Sequence, residues 1–368
     1  LKPLAWQDVN NPEQGIIGID PKGDFAIDIW AMCKVVGRDC ILFDPGDPDC
    51  PKFNPFEGPY TDVLENMVTT FNILAGSEAS PYFAGKQEEL VRNAIRVLKT
   101  NEQFDPNGRP AKLRDFSNLI FNINGVGILE LKKYTNIINS LEPTLRQDAS
   151  GAARYFNDEY FPGANPESKA TSRAFLDSSP IRSTVGKLMS NDFLKDILNP
   201  EDGHSDINFD KVLLDGDVVA ISTDEGLLQE LGSYLGMFLI LQLQSSIFRR
   251  PGREQTRRGC SLYIDEFQTY ANPKFISILN KGRSYRVSAV LATQARAQMK
   301  MNSGRDGDAF VEGVDANARS LIIFPGLNYK DNEYYSRQFG DKTIIDKRAA
   351  KTIKKNFMGI STSAEYSE

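Results

Sequence analysis

Short apolar runs alternate with amphipathic ones along this chain, and the alternation predicts an α/β protein. GIIGID (15–20) reads as a strand stopping at the turn signal PKG. DFAIDIWAMCKVV (24–36) then reads as a helix and CILFD (40–44) as a second strand, a spacing that predicts a parallel βαβ unit. From about 58 to 200 the period becomes helical. Met67, Val68, Phe71 and Leu74 fall on one helical face, as do Leu90, Val91, Ala94, Ile95 and Leu98. Further helices are expected over 112–123, 127–140 and 181–198.

Strands return with DVVAIS (217–222), SLYID (261–265), VSAVLAT (287–293) and SLIIF (320–324), with helices expected over about 226–248 and 273–282. The apolar continuity of SLIIF fits a sheet covered on both faces. The expected organisation is an α/β domain from 1–57 and 205–345, with an all-α domain, 58–204, inserted after the first strands. A basic and then polar tail, 346–368, is expected to fray.

Composition narrows the chemistry. The 368 residues are 40% hydrophobic and 25% charged, as in ordinary globular proteins. Cys33, Cys40, Cys50 and Cys260 form no C-x-x-C pair, and with one histidine, His204, a zinc site is not expected. The lone histidine also argues against a Ser-His-Asp triad, and its polar run EDGHSD reads as a loop. The formal charge of −6 does not suggest a surface that coats nucleic acid, although a local basic channel is compatible with it. The apolar run LGMFLILQL (235–243) is too short to span a bilayer and reads as a buried helix.

In doubly wound sheets, ligands collect at the carboxyl ends of the strands. Three predicted strand ends carry suitable residues: Asp20, Asp265-Glu266, and Thr293-Gln294. A carboxylate there can hold Mg2+, and a second beside it can orient or deprotonate a water. A glutamine on the adjacent strand can contact that water or the terminal phosphate. An isolated DE after a strand also serves as a helix cap, and Gln294 nearby is what favours the nucleotide reading. Arg283, at the helix-to-strand corner NKGRSYR, reads alone as a surface charge; in ring-shaped ATPases such an arginine reaches a neighbour's nucleotide. No G-x-x-x-x-G-K-[ST] loop occurs in the sequence. Gly85-Lys86 and Gly186-Lys187 lack its spacing and read as parts of helices.

With these motifs in hand, the chain resembles the TraG/TraD-type coupling ATPases of conjugative type IV secretion, relatives of FtsK and HerA translocases. The resemblance rests on Asp20-Pro21-Lys22-Gly23 at a strand end, the Asn54-Pro55-Phe56 turn, and LYIDEFQTYANPKFISILNKGRSYRVSAVLATQ. It covers about 15–345 and matches the helical insertion only in outline. It implies a RecA-like, mostly parallel sheet, ATP and Mg2+ as cofactors, and hydrolysis driving DNA translocation. Asp265 and Glu266 become the Walker B pair, with Asp265 the metal ligand, Gln294 the γ-phosphate sensor and Arg283 a finger acting in trans. Asp20, Lys22 and Thr293 are the further nucleotide-side residues. It also implies a phosphate loop and membrane helices upstream of Leu1, so that this chain, itself soluble, binds ATP poorly alone. The intact protein would be a homo-hexamer on the cytoplasmic side of the bacterial inner membrane, with relaxase, relaxosome and secretion-channel partners.

DNA contacts are expected from basic segments: RRPGREQTRR (249–258), with Arg249, Arg250, Arg257 and Arg258, the stretch 295–310, with Lys300, and KRAAKTIKK (347–355). Such runs are usually solvated faces. No aromatic ladder accompanies them, so any grip on DNA, which the resemblance implies is single-stranded, would be by phosphate and independent of sequence. Three rivals stand beside this reading. The DEFQ motif occurs in superfamily-1 helicases, but their G-D-x-x-Q-[SA]-I-Y motif is missing downstream. An assembly ATPase of the channel would energise protein subunits, and a non-hydrolysing docking module would recognise substrate proteins through the insertion.

Overall fold

The computed structural model describes residues 1–74, 81–162, 172–302, 307–340, 349–356 and 359–366. Five strands form one sheet: β1 (Gln14–Asp20), β2 (Ile41–Phe43), β3 (Val218–Ser222), β4 (Gly259–Ile264) and β5 (Val287–Leu291). Their order is β2-β3-β1-β4-β5, and every pairing is parallel. β1 is thus flanked by strands more than 190 residues downstream of it. The register sets Asp20 opposite Ser222 and Ile19 opposite Ile264.

Apolar continuity in these strands reflects two covered faces. Ile16, Val218, Ala220 and Tyr263 pack with Phe25, Ala26, Ile29 and Cys33 of the helix Asp24–Val36. Ile17, Ile19, Val219, Ile221, Leu262 and Ile264 face the other way, into a core that includes Leu235, Phe238 and Leu239 of the helix Glu230–Arg249. That helix is long and apolar enough by composition to cross a membrane, yet most of it is buried in the core. A side chain at Gly18 would overlap Ile29, so glycine lets helix Asp24–Val36 approach the sheet.

Helices fill the insertion. They include Tyr60–Leu74, Pro81–Gln103, Leu113–Phe121, Val126–Ser140, Pro143–Arg154 and Ser179–Ser190. Gly85-Lys86 and Gly186-Lys187 both lie inside such helices. The core is continuous from the sheet into these helices, joining Ile17 and Phe238 to Phe116 and Tyr134. The chain leaves for the insertion and returns from it at one place. Buried Asn54 donates through Nδ2 to the carbonyls of Ala111 (2.9 Å) and Gly203 (2.7 Å), and through its N–H to Ser205 Oγ (2.9 Å). Glu57 accepts the Ser205 N–H at 2.8 Å and meets His204 Nδ1 at 3.0 Å.

By its internal contacts the chain forms two compact units, Leu1–Leu321 and Ile322–Glu368. The second contains the helix Tyr329–Phe339 and an antiparallel hairpin of β6 (Ala349–Asn356) and β7 (Gly359–Tyr366). The tail expected to fray therefore has regular strand pairing. SLIIF (320–324) is not a strand. An apolar run becomes one only where a neighbour supplies ladder hydrogen bonds, and Leu321, Ile322 and Phe324 are instead exposed.

Candidate functional site

Parallel pairing brings the carboxyl ends of β1, β4 and β5 side by side, so three motifs distant in sequence converge. At the end of β1, Asp20 is almost fully buried and accepts the N–H groups of Lys22 (2.9 Å) and Phe25 (2.7 Å). Burial raises its pKa, and these two bonds oppose the rise. Asp20 thus shapes the PKG turn and the start of the following helix. Gly23 completes the turn with φ of 84°, a conformation favouring glycine. The turn presents Lys22 outward, its side chain 63% exposed.

At the end of β4, the Asp265 N–H donates to Ile19 O (2.9 Å), and its Oδ1 accepts the Glu266 N–H (3.0 Å). Glu266 lies in the left-handed region with φ of 44° and ψ of 49°, a strained backbone of the kind found at active sites. The Phe267 N–H bonds Ala292 O (2.7 Å) and the Ala292 N–H bonds Ile264 O (3.0 Å), locking the ends of β4 and β5 together.

Glu266 is the meeting point. Its Oε1 accepts from Lys22 Nζ at 2.5 Å and from Gln294 Nε2 at 2.6 Å, and its Oε2 accepts from Gln268 Nε2 at 2.6 Å. Burial pushes its carboxyl pKa upward, but these three bonds outweigh burial and hold it below the usual glutamate range. Lys22 is raised by the hydrogen bond and charge of Glu266. The arrangement can present a carboxylate, with a glutamine donor at its side, to a water at the sheet's carboxyl edge.

The structure therefore gathers Lys22, Asp265, Glu266 and Gln294, with Asp20 beneath them and Thr293 exposed beside Gln294. Gln268 is a site residue that sequence reasoning misses. Its two-residue spacing from the glutamate was the signal, and its burial fixes it as a support. Arg283 stands apart: it precedes β5, at the amino edge of the sheet, with its side chain 90% exposed and 3.7 Å from Glu254.

The arginine-rich run also sits at that amino edge, and the guanidinium groups of Arg249, Arg250, Arg257 and Arg258 have internal partners. Arg249 pairs with Asp62 and with Asp210 (2.9 Å). Arg250 is buried and donates to the carbonyls of Tyr285 and Leu213. Arg257 donates to Ser284 O (2.6 Å) and Arg250 O (2.8 Å) and lies over the Tyr285 ring. Arg258 donates to Asp215 O and pairs with Glu13 at 3.4 Å. These bonds give the four arginines a structural role at the sheet edge. Lys300 lies in the helix Arg296–Asn302 and pairs with Asp308 (2.7 Å), so the stretch after Gln294 is largely helical. Residues 303–306 of that stretch, and Lys347 and Arg348 of the C-terminal basic run, lie outside the described residues. A cavity of about 660 Å³ between Tyr60, Glu88, Arg92 and Arg96 lies in the helical part; polar chemistry, not volume, marks the site at Glu266.

Residues 260–368 match the family model described as the TraM recognition site of TraD and TraG. A search of curated proteins gives no significant match. Among solved structures, the unbound bacterial conjugative coupling protein TrwBdeltaN70 is similar, with 14% identity and a TM-score of 0.52 over 97% of this chain and 78% of that one. TrwB in complex with ADP and Mg2+ gives 15% identity and a TM-score of 0.52, covering 89% of this chain and 73% of that one. TrwB with the non-hydrolysable GTP analogue GDPNP gives 16% and 0.53, covering 91% and 75%. At these identities the likeness to TrwB is one of fold, and it bears out the RecA-like α/β reading. In the sequence of its residues 260–368 and in its fold, this chain is like the TraG/TraD-type coupling proteins, as its strand-end motifs imply.

Proposed function

We propose that this chain is the hydrolytic part of an ATP-dependent DNA translocase that delivers a DNA–protein substrate to a type IV secretion channel. The observation that carries the reading is Glu266 standing with Asp265 and Gln294 at the ends of adjacent parallel strands, in a chain whose residues 260–368 match the TraD and TraG model. In this reading Glu266 orients and deprotonates the attacking water, and Gln294 holds that water or the terminal phosphate. Arg283, exposed at the opposite edge from its own chain's Glu266, serves a neighbouring subunit of a homo-hexamer.

ATP is the proposed nucleotide and Mg2+ its ion. Among the described residues there is no group of three or more ligating side chains. That fits Mg2+, which binds through one or two carboxylates and completes its shell with water and phosphates. Asp265 would hold it, and the bound ion would offset charge developing on the phosphoryl oxygens. No G-x-x-x-x-G-K-[ST] loop lies within the 368 residues, so the phosphate cradle is not supplied by this stretch. The proposed partners are DNA held by its phosphates, channel components, and a relaxosome protein of the TraM kind docking on residues 260–368. The proposed location is the cytoplasmic face of the bacterial inner membrane.

The test is ATP hydrolysis by the intact protein with and without single-stranded DNA. DNA is expected to stimulate turnover, and Glu266→Gln to abolish the stimulated rate while nucleotide binding survives. Unchanged turnover in that variant would remove Glu266 from the role of base.

A further inference from the structure

The resemblance implies a nucleotide contact for Lys22, but its partner in the structure is Glu266. Its ammonium is 2.5 Å from Glu266 Oε1, across 244 residues of sequence. The same oxygen accepts Gln294 Nε2 at 2.6 Å, while Gln268 occupies Oε2 at 2.6 Å. One carboxylate thus ties together the ends of β1, β4 and β5.

Two features make this tie more than an incidental surface ion pair. The first is how the partners are held. Lys22 is carried on a turn fixed by the Asp20 carboxylate through the Lys22 and Phe25 N–H groups, with Gly23 left-handed behind it. The Glu266 side chain is only 12% exposed, and its backbone is itself left-handed. The second is asymmetry: the Lys22 side chain is 63% exposed and long, so it can leave, whereas Gln268 is buried beside Glu266 and cannot. An oxygen that already accepts an ammonium and an amide offers no free direction to a water proton.

We infer that Lys22 is a positioning residue that restrains Glu266, holding Oε1 away from water until the lysine is drawn off. The proposal rests on Glu266 being the base. Under it Lys22 serves the carboxylate and not the nucleotide, and the DPKG turn becomes a brake on idle hydrolysis. Withdrawal of the exposed lysine, with Gln268 still in place, leaves Glu266 oriented and Oε1 open.

The experiment compares the intact protein with Lys22→Met, Lys22→Arg and Glu266→Gln. It measures turnover without DNA, turnover with DNA, and affinity for a non-hydrolysable ATP analogue. Lys22→Met is expected to raise DNA-free turnover several-fold, reduce the stimulation by DNA, and leave analogue affinity within about twofold of the parent. Lys22→Arg, which keeps the cation, is expected to restore low DNA-free turnover. A DNA-free rate that is unchanged or lower in Lys22→Met, or an analogue affinity about tenfold weaker, overturns the restraint and returns Lys22 to the phosphate. Because Lys22 is exposed and its removal opens no core cavity, a folding defect is not expected to mimic either result. If Glu266→Gln keeps parental turnover, the base reading itself has failed and the restraint falls with it. If Glu266→Gln is inactive while Lys22→Met shows no rise, the restraint alone has failed.

Discussion

Gln294 Nε2 donates to Glu266 Oε1 at 2.6 Å, a side-chain bond joining the loops after two adjacent parallel strands. The amide sits where a donor can hold both the carboxylate and whatever that carboxylate acts on. Gln294→Ala removes the donor without touching the core, since Gln294 is exposed. DNA-stimulated turnover is expected to fall by about 10–100-fold, the range for losing one positioned polar group. A parental kcat in Gln294→Ala would show that the amide only decorates the strand end.

Arg283 lies at the amino edge of the sheet and Glu266 at the carboxyl edge. Were Arg283 the proposed finger, this placement would let it serve only another subunit. Arg283→Ala and Glu266→Gln should each be inactive alone, yet mixing them should recover part of the turnover, because some sites then pair an intact Glu266 with an intact Arg283. No recovery on mixing, with assembly intact, would place the arginine outside the reaction.

His204 is the one histidine of the chain, so its ring resonances are unambiguous in a proton NMR titration. The hydrogen bond that the ring donates to Glu57 raises its pKa above the ordinary 6.5. The stability this pairing contributes is fully present below 6.5 and is lost as pH rises through the folded value. With the His204 side chain 57% exposed, solvent screening keeps that contribution small. Glu57→Gln should move the titration midpoint down toward 6.5; an unmoved midpoint would mean the pair does not form in solution.

Asn54 is fully buried, and its side chain joins the carbonyls of Ala111 and Gly203 where the helical insertion leaves and rejoins the sheet. Asn54→Ala strands both carbonyls and is expected to cost about 2–4 kcal/mol in urea unfolding. Asn54→Asp should be no better, since a carboxylate offers those carbonyls no donor. A loss within about 0.5 kcal/mol would mean that the junction is held by its apolar neighbours alone.

Much of the architecture was legible because it is written in local periodicity. The helix Asp24–Val36 falls where the sequence predicts it, and strands 15–20, 217–222 and 287–293 shift by only one or two residues at their ends. The long helix expected over 226–248 is interrupted at Gln229, whose φ of 52° breaks it into Glu225–Leu228 and Glu230–Arg249. No periodicity signals such a break. SLIIF has the apolar content of a strand and is none, because hydrophobic pattern does not supply a ladder partner.

By itself, the sequence determined the element types, the helical interruption of the α/β pattern, and the residues IDEFQ and ATQ at strand ends, since each depends on neighbours a few positions away. The tertiary structure decided which side chains meet. Lys22 and Glu266 touch only because β1 pairs with β4 in a register that sets Ile19 opposite Ile264. Arg250, Arg257 and Arg258 turn inward because the carbonyls of Leu213, Asp215, Ser284 and Tyr285 are brought to the same sheet edge. Charge and hydrogen-bonding capacity are properties of a residue, but the partner that absorbs them is set by strand order and register between segments far apart in the chain.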